Sequence, residues 1–224
     1  MRIVMSAVNP PNTSAPTRRE RARATRLRII KAAYALFCAG GYAGTTMAEI
    51  AEAAGVAVQT VYFAFHTKSE LLGSAYDLAV LGEDDPLPPE HQAWYVQMSA
   101  APDVVGALRH VADGVGAILI RVAPLDTIAR ASAGNDPDIA RVLAVSDRLR
   151  VDGYRTMLDI LVRKSALRDG LTSERAAQLL LLYLGTDCYR VLVNDFGWTH
   201  AEWLEWAVVT VAEQVFAPPG APRH

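Results

Sequence analysis

Cysteine is scarce in this chain: only Cys38 and Cys188 among 224 residues carry a thiol. Both lie among apolar neighbours and match no disulfide framework or metal-ligand spacing, so they read as small buried hydrophobes. The five histidines (His66, His91, His110, His200 and His224) are scattered without ligand spacing. The patterns GxSxG, HExxH, CxxC, GxGxxG and the P-loop are missing, which leaves catalysis without positive support. No metal and no cofactor are expected. Uninterrupted apolar runs such as Leu179–Gly185 stop far short of the roughly 20 residues of a membrane span. The opening MRIVMSAVNPPNTSAP is too short in its apolar part and too broken by proline for a secretory signal. The expectation is a cytoplasmic protein with no membrane partner. Strand signals are scarce as well, with no sustained alternation and no Asn-Gly or Asp-Gly hairpin. An all-α chain remains.

Charge is present but unevenly placed. The net value of −2 hides a basic first third, where residues 1–80 hold nine Lys/Arg against five acids, or +4. Residues 81–224 hold 13 against 19, or −6. That asymmetry suggests that only the first third meets a polyanion, although an ordinary charged surface gives the same count.

Punctuation by Gly, Pro and capping residues divides the chain. Residues 1–20 read as a disordered tail rich in Pro, Ser, Thr and Asn, and 218–224 as a second. A first helix is expected over about Thr25–Ala39, stopped by Gly40-Gly41. Thr46 caps a short second helix, Met47–Ala54, with Glu49 completing a capping box. Gly55 ends it; a third helix begins near Ala57 or Val58, and a fourth at Lys68. Residues 83–102 read as a Pro-rich link. Longer helices are expected over Asp103–Val122, Leu125–Ala133, Pro137–Lys164, Ser173–Phe196 and His200–Phe216.

Two short helices joined through Gly55 have the helix-turn-helix layout, although helix–Gly–helix also occurs as plain packing in all-α proteins. In such a unit the N-terminal residues of the second helix face base edges in the major groove. Val58, Gln59 and Thr60 stand there; Gln pairs with adenine and the Thr methyl meets the thymine methyl. Tyr62 and Lys68 carry donors for phosphate oxygens, and Thr46 adds a hydroxyl at a helix N-terminus. Arg23 and Arg26, in a run of arginines, are placed to reach backbone or minor groove. Phe63 fits either contact or core.

The stretch AGTTMAEIAEAAGVAVQTVYFAFHTKSELL (residues 43–72), with IIKAAYALF (29–37) upstream, resembles the N-terminal domain of TetR-type transcriptional regulators. The matching features are Thr-Thr before the second helix, Ala-Gly-Val at the turn, Thr-hydrophobe-Tyr in the third helix and Lys-x-Glu-Leu-Leu in the fourth. The resemblance implies an all-helical homodimer with a three-helix DNA-binding domain (21–68) and an effector-binding and dimerisation domain (69–217). It carries Thr46, Gln59, Thr60, Tyr62 and Lys68 over as contacts to operator DNA. Ala57 departs from a frequent capping Ser, and Gln59 from a frequent Gly.

In the C-terminal part, Ser173–Phe196 is apolar around most of its circumference, with a polar stripe at Tyr183, Asp187, Arg190 and Asn194. That stripe fits a solvated strip, a cavity lining or a subunit contact. The resemblance implies that the last two helices form the dimer interface, for which Leu181, Leu184, Cys188, Leu192, Trp203 and Trp206 are the candidates. Interior glycines, among them Gly114, Gly116 and Gly153, mean either close helix packing or room for an effector. Trp94, His110, Asp113, Tyr154 and Met157, with Tyr183 and Asp187, are the candidate lining. The expected function is a ligand-responsive transcriptional regulator. By the commoner mode of the family it is a repressor, bound to a palindromic double-stranded operator as a homodimer and released by a small, largely apolar effector. The alternative is an α-helical enzyme or ligand-binding protein whose helix-turn-helix is a packing coincidence.

Overall fold

The computed structural model describes residues 17–82 and 88–218. Most of the first expected tail, part of the Pro-rich link and most of the last tail lie outside the described residues. Among the described residues every regular element is helical, apart from an isolated bridge between Leu167 and Phe216. The order is α1 (Arg18–Gly44), α2 (Met47–Ala54), α3 (Val58–Ala64), α4 (Lys68–Leu81), a 3-10 turn (Pro89–His91), α5 (Ala93–Ala100), α6 (Val104–Ala133), α7 (Pro137–Leu161), α8 (Ser173–Tyr183), α9 (Thr186–Tyr189), a π segment (Arg190–Asp195) and α10 (His200–Val215).

Helix starts follow local chemistry. Thr17 and Glu20 form a capping box, so α1 starts at Arg18 rather than near Thr25. Thr46 with Glu49 and Thr199 with Glu202 do the same for α2 and α10. Gly41, at φ 76, interrupts α1, which then runs one further turn to Gly44.

Three expectations are corrected by packing. Pro124 does not end a helix; α6 runs through it to Ala133. Proline removes the N–H that would bond the carbonyl four residues back. Burial of Val122, Ala123, Leu125 and Asp126 around it outweighs that loss. The Pro-rich link contains a full helix, α5, whose Met98 is completely buried. The expected helix Ser173–Phe196 is broken at Leu184-Gly185. There the Leu184 carbonyl accepts the Tyr154 hydroxyl at 2.5 Å, and a Cβ on residue 185 would lie 2.1 Å from the Leu181 carbonyl oxygen. By length and mean hydropathy Ser173–Asp195 passes as a membrane span, which the count of uninterrupted runs does not reveal. The break, and the burial of Ala176, Ala177, Leu180 and Leu184 in the cluster that α8 shares with α7 and α10, give this side of it a place in the core instead.

The interior glycines of α6 serve close packing. A Cβ at Gly114 would sit 2.1 Å from Trp94 Cδ2, and one at Gly116 would sit 2.9 Å from His200 and Leu204. The Trp94 ring therefore fills the room that an effector was expected to use. Gly114→Ala is expected to lower stability by about 1–3 kcal/mol, because the whole indole must shift. Urea unfolding measures it, and the loss should shrink in a Trp94→Leu background. An unchanged midpoint in the single variant contradicts the packing account.

Two apolar clusters result. One joins α1–α4 to Val122, Leu125 and Ala129 of α6 and to Ile139 and Leu143 of α7. The other joins α5 through α10. The first cluster crosses residue 68, so the N-terminal helices share their core with α6 and α7.

Candidate nucleic-acid interface

Gly55 adopts the left-handed conformation (φ 64, ψ 43), its N–H reaching the carbonyls of Ala51 and Glu52. A side chain would resist that backbone; glycine accepts it and turns α3 sharply out of α2. Ala57 opens α3 with no side-chain cap, as the departure at that position implied. Val61 and, just beyond the helix, Phe65 are fully buried and anchor it.

The opposite side of α3 faces outward. Gln59 is exposed, Thr60 half-buried, Val58 36% exposed, Tyr62 52% and Phe63 90%. Gln59 and Phe63, four apart, share one face, as do Val58 and Tyr62. All five of these candidates thus lie on or beside one surface.

The remaining candidates do different work. Arg26 donates to the Ala64 carbonyl at 2.7 Å and to the Ser74 hydroxyl at 3.3 Å, and its guanidinium stands 4.0 Å from the Phe65 ring centroid. It buttresses the end of α3 against α1 and α4. Arg23, one turn earlier on α1, is exposed. Lys68 is half-buried; its ammonium donates to the carbonyls of Tyr42 (2.7 Å) and Thr45 (2.8 Å) and lies 4.2 Å from the Tyr42 ring centroid. Two of its three donors are therefore engaged at the α1–α2 corner. Burial lowers the Lys68 pKa and pushes the Tyr42 hydroxyl up to about 12. Thr46 is exposed, but its hydroxyl donates to Glu49 at 2.9 Å. The Thr46 backbone and side-chain bonds hold the Glu49 carboxyl below its usual range, so an anion already stands at that helix end.

The residues proposed for effector and dimer contacts are dispersed. Trp94 fills the gap at Gly114 and donates to Gln92 at 3.0 Å. His110 is half-buried and Asp113 exposed on α6; Tyr154 and Met157 are core. Tyr183 packs edge-on to Trp206 at 6.0 Å. Of these residues, Asp187 and Leu181 line the cleft of about 450 Å³ between α7 and α8, beside Arg130, Asp147, Arg150, Gln178 and Leu182. Leu184 and Trp203 are 1% and 0% exposed within the single chain. Trp203 packs against Tyr189, His200 and Gly116, which leaves it no surface for a second subunit. Leu181, Cys188, Leu192 and Trp206 are half-buried, while Leu182, Phe196 and Val209 are the exposed apolar side chains of this region.

Sequence reasoning missed a polar ring at that cleft. Asp126, 4% exposed, accepts from Arg130 (2.7 Å), Thr186 (3.2 Å) and Tyr76 (3.3 Å). Arg130 donates to Asp147 at 2.6 Å, Arg150 also donates to Asp147, and Arg150 reaches Thr186 at 2.7 Å. Burial raises the Asp147 pKa, but the Arg130 and Arg150 guanidiniums outweigh it and hold the carboxyl below the usual range. The spacings Asp126–Arg130 and Asp147–Arg150 were the available signal.

Residues 29–75 match the family described as bacterial regulatory proteins of the tetR family. That segment belongs to the TetR family. It covers the greater part of α1, all of α2 and α3, and the first half of α4. The HTH-type transcriptional regulator TtgR of Pseudomonas putida is 44% identical over 59 residues, 26% of this chain and 28% of TtgR. The match thus spans little more than a quarter of that relative. Likeness of fold reaches further. The Pseudomonas aeruginosa protein NalD, secondary repressor of the MexAB-OprM multidrug efflux pump, superposes with a TM-score of 0.66 at 22% identity, over 90% of this chain and 100% of NalD. The fatty acid degradation regulator FadR of Bacillus halodurans gives 0.63 at 19% identity, over 84% and 94%. Both share the helical fold of this chain through its C-terminal part.

Proposed function

We propose that this protein is a ligand-responsive transcriptional regulator that binds a palindromic operator as a homodimer and acts as a repressor in the cytoplasm. The observation that carries the proposal is the outward face of α3, where Gln59, Tyr62 and Phe63 project from a TetR-type segment held rigid by Val61, Phe65 and Arg26. A dimer brings two such helices about one DNA turn apart, roughly 34–36 Å, and the palindrome matches that two-fold symmetry. Leu182, Phe196 and Val209, with the half-buried Leu181, Cys188, Leu192 and Trp206, supply the apolar surface for the second subunit. The repressor role of NalD supports the direction of control.

The effector site of this proposal is the cleft between α7 and α8. Four of its lining residues, Arg130, Asp147, Arg150 and Thr186, belong to the ring that reaches α4 through Tyr76. Alongside, Arg121 of α6 donates to the Ala79 carbonyl of α4 at 2.7 Å, and its own carbonyl accepts from Tyr34 of α1 at 2.8 Å. A ligand that displaces α7 from α8 is thereby coupled to both helices that carry the DNA-reading unit. Binding shifts the population toward a spacing that no longer fits both half-sites. A gel shift with DNA flanking the protein's own gene, at stated salt, is expected to give a discrete palindrome-dependent complex. Scrambling one half-site should abolish it. Failure to retain any duplex at low salt, or a monomer at micromolar concentration, overturns the proposal.

A further inference from the structure

Helix α3 reads VQTVYFA and carries no charged residue. Two cations beside it, Arg26 and Lys68, are engaged with backbone carbonyls of Ala64, Tyr42 and Thr45. Guanine presents two acceptors in the major groove that Arg or Lys meets best, and α3 offers neither. What it offers is an amide and an apolar ring. Gln59 matches the acceptor and donor of adenine. Phe63 is 90% exposed, more than any other large apolar side chain among the described residues, and it lies one turn from Gln59 on the same face. The one apolar feature that a base edge presents there is the thymine 5-methyl group. One helical turn of about 5.4 Å covers between one and two base-pair steps of about 3.4 Å.

We infer that α3 reads A·T pairs within each half-site, Gln59 bonding an adenine and the Phe63 ring covering the 5-methyl group of a thymine one or two steps away. This rests on the proposed role of α3 as the DNA-reading helix and names what that helix selects. Phe63 is a specificity-determining residue here, and its exposure reflects a partner surface that is apolar in one spot only.

The test uses the full-length protein and a random duplex library at fixed salt. Selected half-sites should share an A·T step at the position facing α3. Each thymine of the selected operator is then replaced by deoxyuridine, which removes only the methyl group. At one thymine per half-site the wild-type protein should lose affinity about fourfold, the worth of one buried methyl group, and about 16-fold when both half-sites are changed. Phe63→Ala should bind the thymine and deoxyuridine operators equally, and Phe63→Leu should keep part of the difference. Because residue 63 is exposed, both variants should retain the wild-type circular dichroism and urea midpoint. Insensitivity of the wild type to deoxyuridine at every position overturns the inference while leaving the regulator reading intact, as does equal sensitivity in Phe63→Ala. Retention of no duplex at all overturns both.

Discussion

Asp126→Ala is expected to destabilise the chain by about 3 kcal/mol. Its carboxylate is buried on α6 and accepts from Arg130, Thr186 and Tyr76, which come from three separate stretches of sequence. Removing one partner of a buried ion pair costs about 3–5 kcal/mol, because the charge left behind remains poorly solvated. The Arg130 side chain is 35% exposed and keeps Asp147, which places the expectation at the low end. The Tyr76 hydroxyl gains no such relief. Burial has already raised its pKa, and alanine at position 126 leaves the hydroxyl without its acceptor. Asp126→Asn preserves an acceptor and should cost about half as much. Urea unfolding of the three proteins measures both differences, and a loss below about 1 kcal/mol for alanine would remove the ring from any stabilising role.

Lys68→Ala should cost about 2–4 kcal/mol and weaken operator binding for every sequence alike. Charge-assisted hydrogen bonds contribute about 1.5–3 kcal/mol each, and Lys68 makes two, to the carbonyl of Tyr42, which also accepts the capping Thr45 N–H, and to that of Thr45 just beyond α1. The stacking over Tyr42 adds to them. The reason for the weaker binding distinguishes this role from a phosphate contact. A lost phosphate contact reduces the slope of log affinity against log salt by about 1 and leaves stability untouched. A loosened α1–α2 corner lowers the urea midpoint and leaves the slope as it was. The second pattern is expected; the first would return Lys68 to the DNA-contacting set.

Both residues illustrate where the reading of the chain stops. Lys68 stands where the TetR-type resemblance places a DNA contact, and its identity was legible. Its acceptors lie 26 and 23 positions upstream, and no local pattern points to them. Arg26 likewise belongs to an arginine run that suggests DNA, yet its guanidinium ends on a carbonyl 38 residues away. Trp203 has the spacing of an interface residue and turns out to be fully buried core. Periodicity identifies an apolar face without saying which neighbour covers it.

The linear order of residues was sufficient wherever the physics is short-ranged. Capping boxes close over three residues, the left-handed turn needs only Gly55, and the bounds of α2 and the start of α3 follow from them. The all-helical class and the outward pair Gln59 and Tyr62 came from the same local rules, whereas the outward placement of Phe63 did not. Three-dimensional packing decided the rest. It carried α6 through Pro124, filled the gaps at Gly114 and Gly116 with indole and imidazole, and broke the chain at Gly185, where Tyr154 takes the Leu184 carbonyl. It also closed the Asp126 ring over a separation of 60 residues. A hydrogen bond or a van der Waals contact has a range of a few ångströms, and only the folded chain brings such distant groups within it.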